Sequence, residues 1–132
     1  MRISDLYLKR ALKIRKEYLS IRNDIEKYER IAQELILSLD KSKEGFTKLL
    51  ENLSSKKITN PELAKRELDN LILQTETDMN KVESSVNDLN KKIDKLREDE
   101  NSLYKEITRA YTDLTQEEIK NEVQSYLKQN LS

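Results

Sequence analysis

Two runs of apolar residues, each stepping alternately by four and by three, leave this chain few ways to fold. The first run is Tyr7, Ala11, Ile14, Tyr18, Ile21, Ile25, Tyr28, Ala32, Leu35, Leu39, Ser42, Phe46, Leu49 and Leu53, with Ser42 its one polar member. The second is Leu68, Ile72, Thr75, Met79, Val82, Val86, Leu89, Ile93, Leu96, Glu100, Leu103, Ile107, Ala110 and Leu114, with Thr75 and Glu100 as exceptions. A 3.5-residue period held over so many heptads is the pattern of helices packed along a coiled-coil seam. Residues 7–53 and 68–114 are of equal length, about 70 Å of helix each. Two equal seams bury each other if the chain reverses between them.

The stretch between them supplies both a stop and a start. Ser54, Ser55, Lys56 and Lys57 suit a helix end, where lysines complement the negative pole of the helix dipole. Asn60 is a good N-cap, Pro61 favours the first helical position, and Glu62 suits the first turn. The expectation is an all-α, long antiparallel two-helix coiled-coil hairpin, with helix 1 at about 3–54, a turn at about 55–60 and helix 2 at about 61–112. If Leu53 faces Leu68, then Tyr7 faces Leu114, Ile14 faces Ile107, Tyr28 faces Ile93 and Phe46 faces Thr75. Glu100 then lies between Tyr18 and Ile21. Gly45 sits inside the first run without breaking its register, a local weak point of roughly 1 kcal/mol relative to alanine.

Charge supports the reversal. Residues 1–22 carry seven basic and two acidic side chains, and residues 98–122 carry eight acidic and three basic ones. A hairpin sets these stretches side by side. Past Leu114, Thr115 and Glu118 have the T-x-x-E spacing of a capping box, followed by Ile119, Val123, Tyr126 and Leu127 on one helical face. A short C-terminal amphipathic helix at about 116–129 is expected, within a single helical-hairpin domain spanning 1–132. Its apolar face has two possible acceptors: surplus apolar residues of helix 1 at the same end (Ile3, Leu6, Leu8, Leu12 and Leu19), or another chain.

Composition narrows function by exclusion. With 38% charged residues, one Gly and one Pro among 132 residues, the chain lacks the turn-formers that sheets need. Cysteine, histidine and tryptophan are absent, which removes disulfides, thiolate nucleophiles and imidazole chemistry. No P-loop, G-x-G-x-x-G or G-x-S-x-G pattern occurs, and "DKSKE" at 40–44 lacks the glycine and glutamate of a calcium loop. The reading is therefore not an enzyme, with no cofactor, metal or small-molecule ligand expected. No apolar run approaches a membrane span, and charges scattered through the first residues argue against a secretory signal. A cytoplasmic location is expected. The abundance of Lys, Asn, Ile, Glu and Ser points to an AT-rich genome, with virion or phage association as the alternative location.

What remains is surface. Leu8, Leu12, Leu19, Ile36, Leu37, Leu50, Leu71 and Leu73, with Ile119, Val123, Tyr126 and Leu127, lie off the two seams and form candidate partner-binding patches. Ile31 belongs to the same surplus. The expected function is a non-catalytic scaffold, adaptor or assembly subunit that binds protein partners or itself through helical packing. The alternative is a nucleic-acid-binding accessory protein, with Lys9, Arg10, Lys13, Arg15, Lys16 and Arg22 on phosphates. Tyr18 accompanies them but lies on the seam. Membrane association through this segment is a lesser alternative. No motif ties the chain to a known family.

Overall fold

The computed structural model describes residues 2–52 and 61–131. They are 93% helical, with three helices and no strand. α1 runs Asp5–Asn52, α2 runs Pro61–Ala110 and α3 runs Gln116–Leu131. α1 and α2 pack against each other. The expectations for Leu53, Ser54, Ser55, Lys56, Lys57, Asn60 and the turn fall outside the described residues.

Heptad spacing sorts burial as it should. Every described seam position is buried or half-buried except Ala110, the last residue of α2, where the chain turns away. Leu114, the final position of the second run, lies beyond α2 and is buried in the link to α3. The described residues divide into two compact units: a terminal unit of Met1–Ile25 with Asp88–Ser132, and a central unit of Glu26–Asn87.

In the terminal unit, three helical segments share one core. Ile3, Leu8, Ala11, Leu103, Ile107, Leu114, Ile119, Val123 and Leu127 are buried together, and Tyr7, Leu12, Ile14, Tyr104, Tyr111, Tyr126 and Leu131 pack around them. α3 thus folds back onto its own chain. Its start is the expected box: the Glu118 N–H donates to Thr115 Oγ1 at 3.1 Å, and the Thr115 N–H donates to Glu118 Oε1 at 3.3 Å. α1 starts later than expected because Ser4 caps it. Ser4 Oγ accepts the Leu6 N–H at 3.3 Å, while its carbonyl accepts the N–H groups of Tyr7 and Leu8. Ile3 before the cap and Leu8 after it are both buried, which is a hydrophobic staple.

Polar contacts fix the direction of the two segments. The Ser4 N–H donates to Tyr111 Oη at 2.7 Å, Arg10 meets Glu106 at 2.6 Å, and Arg15 meets Glu100 at 3.5 Å. Residue numbers therefore fall along α2 as they rise along α1. These pairs are displaced about one heptad from the register that sets Ile14 against Ile107. Ile14 and Tyr18 instead border a groove with Leu96 and Glu100. Glu100 takes Arg15 as its partner.

The central unit shows the same displacement. Phe46 and Leu49 line a groove with Ala64, Leu68 and Leu71, not with Thr75. The expected register and this one differ by one heptad, and a seven-residue repeat keeps the same faces turned inward in both.

Candidate functional site

The expected partner-binding residues differ in burial, and the exposed ones lie in the central unit, Leu19 of the terminal unit excepted. Leu8, Leu12, Ile119, Val123, Tyr126 and Leu127 are spent inside the terminal unit, because α3 lays its apolar face on α1 and α2. Of the two acceptors open to this apolar face, the structure shows the same chain. Leu19, Ile36, Leu37, Leu50 and Leu73 are exposed, with Leu37 at 60% and Leu73 at 64%. Leu71 is half-buried and borders the groove that also contains Gly45 and Phe46.

The central unit has almost no interior of its own. Among its described residues only Thr75 is buried, and no apolar side chain is. Its seam residues Tyr28, Ala32, Leu35, Leu39, Phe46 and Leu49 remain half-exposed. Two helices in contact shield one stripe each and leave the flanks of that stripe wet. Ile31, Ile36 and Leu50 flank the seam of α1, whereas Leu37 and Leu73 point farther round their helices. The groove at Phe46 has a volume of about 340 Å³.

The basic residues of α1 are only partly available. Arg10 is held by Glu106, which holds that carboxyl below its usual range and raises the guanidinium in turn. Arg15 meets Glu100, and its guanidinium carbon lies 5.5 Å from the centre of the Tyr18 ring. Lys9, Lys13, Lys16 and Arg22 are exposed and in no ion pair among the described residues. Lys9, Lys13 and Lys16 share one face at helical spacing.

Sequence reasoning missed the clamp on the N-terminal arm. Glu122 of α3 accepts the N–H groups of Arg2 at 3.3 Å and Ile3 at 3.1 Å, and Arg2 reaches Glu118 at 3.7 Å. Tyr7 and Tyr111 close the same end edge to face, with ring centroids 6.1 Å apart. The one signal available was Ser4 with Ile3 just before it and Leu8 four residues after it, which is a cap-and-staple pattern. Among the described residues no helix is long and apolar enough to cross a membrane, and no acidic cluster could hold a metal ion. Comparison with protein families, with curated proteins and with solved structures finds no match for this chain.

Proposed function

We propose that this chain is a non-catalytic assembly subunit or adaptor, built as a single antiparallel two-helix coiled-coil hairpin whose short third helix locks the terminal end. The observation that carries this reading is the central unit: a described segment without one buried apolar side chain, yet bearing Ile31, Ile36, Leu37, Leu50 and Leu73 on its surface. Burial of apolar area is the main source of stability, at roughly 25 cal/mol per Å². A two-helix segment that keeps so much of it in water gains most by packing against further helices. The terminal unit has less such need, because α3 already supplies a third helix there, although Leu6 and Leu19 stay exposed.

Sedimentation of the purified protein at micromolar concentration tests the reading, together with capture of partners from the host. Self-association or a stable complex is expected, and Ile36→Ser with Leu37→Ser should weaken it while leaving helix content intact. A fully folded monomer that captures nothing, or association indifferent to these substitutions, sinks the proposal.

Nucleic-acid binding is the second reading, favoured by the Lys9, Lys13 and Lys16 face. It is weakened because Arg10 and Arg15 are engaged within the chain. Binding at about 50 mM salt that falls steeply with added salt, and falls further on Lys9→Gln with Lys13→Gln, is its signature.

A further inference from the structure

The terminal unit contains a second feature that the assembly reading leaves unused. A cleft of about 510 Å³ opens between α2 and α3, bordered by Tyr104, Lys105, Thr108 and Arg109 on one side and by Gln116 and Lys120 on the other. Lys105 and Arg109 are one turn apart on α2, and Lys120 faces them from α3. Among the described residues none of the three is in an ion pair.

This excess of positive charge is unexpected in the acidic part of the chain, and it has a structural origin. Three carboxylates of this stretch are held away from the cleft. Glu106 is held by Arg10, Glu118 by Arg2 and the Thr115 N–H, and Glu122 by the arm. Glu106 also lies close enough to Arg109 to feel its charge. Glu100 is the one carboxylate that borders the cleft, and Arg15 holds it. Glu98, Asp99, Asp113 and Glu117 do not line it. The Tyr104 phenol forms a wall, and burial, with a smaller push from Glu100, raises it above its usual range, so it stays a neutral ring.

We propose that this cleft binds a compact polyanion carrying two or more phosphate charges and a flat organic body. Arg109 presents a planar fork suited to phosphate oxygens, and Lys105 and Lys120 add point charges from opposite sides. The body lies against Tyr104. The volume falls within the range of small-molecule sites. An acidic helix of a partner fits less well, because the cleft has too little apolar floor to bury a helical face. The inference does not depend on the assembly reading, since its residues lie outside the central unit.

Amide and side-chain NMR titration of the full chain with ADP, inorganic pyrophosphate and a polyglutamate peptide tests it. ADP is expected to bind more tightly than pyrophosphate and to shift Tyr104, Lys105, Arg109 and Lys120. Arg109→Gln with Lys120→Gln should weaken ADP binding at least tenfold while the α3 resonances keep their folded positions. Lys9→Gln with Lys13→Gln should leave it unchanged. The proposal is overturned by silence of ADP at millimolar concentration, by equal loss in both double variants, or by the peptide binding where ADP does not.

Discussion

The two units are made from the same heptad pattern and end up unlike each other. In the terminal unit the seam residues Ala11, Leu103 and Ile107 are at most 4% exposed; in the central unit the equivalent Leu35, Leu39 and Val82 are only half-buried. Much of the difference is α3, although Ile25, Ile93 and Leu96 are buried in the terminal unit outside the core that α3 shares. Ile119, Val123 and Leu127 cover the flank of the seam, and together with Ile3 and Leu8 they convert a stripe of contact into an interior. A coiled-coil pattern thus specifies which helical face is turned inward, but the depth of burial depends on how many helices meet there.

The sharpest way to break this comparison is the register that both units share. A Phe46→Cys, Leu68→Cys variant should join within one chain under a short thiol-reactive cross-linker. Phe46→Cys with Thr75→Cys should react far more slowly, because Thr75 lies about 10 Å farther along α2. The opposite ranking restores the register in which Phe46 faces Thr75.

Truncations of apolar side chains come next. Ile107→Ala and Val123→Ala remove fully buried groups, and Ile107→Ala should cost about 2–5 kcal/mol in denaturant unfolding. Leu39→Ala in the central unit should cost about half as much or less, since its side chain is already half in water. Equal losses contradict the contrast. Thr115→Ala removes the cap of α3 and should cost about 1 kcal/mol, read out as faster exchange of the Glu118 amide. Gly45→Ala should act in the other direction. A methyl group there meets nothing within 4 Å, so stability should rise by up to about 1 kcal/mol.

The smallest expected effect is electrostatic. Arg10 holds the Glu106 carboxyl below its usual range, so the pair contributes at neutral pH. That contribution is lost as pH falls through the ordinary carboxylate range and below it. Both side chains are exposed, so the effect is small and screened by salt. Comparing the acid limb of unfolding for the wild type and Glu106→Gln measures it, and identical curves refute it.

Much of this arrangement was legible in the residues. Heptad spacing identified the inward faces of α1 and α2, and Thr115 with Glu118 marked the start of α3 because a capping box needs those groups three apart. The register was not legible. A seven-residue repeat matches itself after a slip of one heptad, so the spacing alone does not decide between alternatives. The fate of Leu8 and Ile119 was equally open, because a surplus apolar face has the same pattern whether its acceptor is the same chain or another. The cationic cleft was hidden for a different reason. Lys105, Arg109 and Lys120 are scattered through an acidic stretch, and they converge only after α3 folds back, with Glu106 held by Arg10 and Glu118 and Glu122 held by the N-terminal arm.

Amide hydrogen exchange across the whole purified chain, followed against protein concentration and with any captured partner added, tests the central claim most directly. At dilution, amides of the terminal unit in α2 and α3 should be strongly protected, while those at 31–50 and 63–82 exchange orders of magnitude faster. Protection in the central unit should then rise as association sets in. Equal and concentration-independent protection of both units in a monomer would contradict the account.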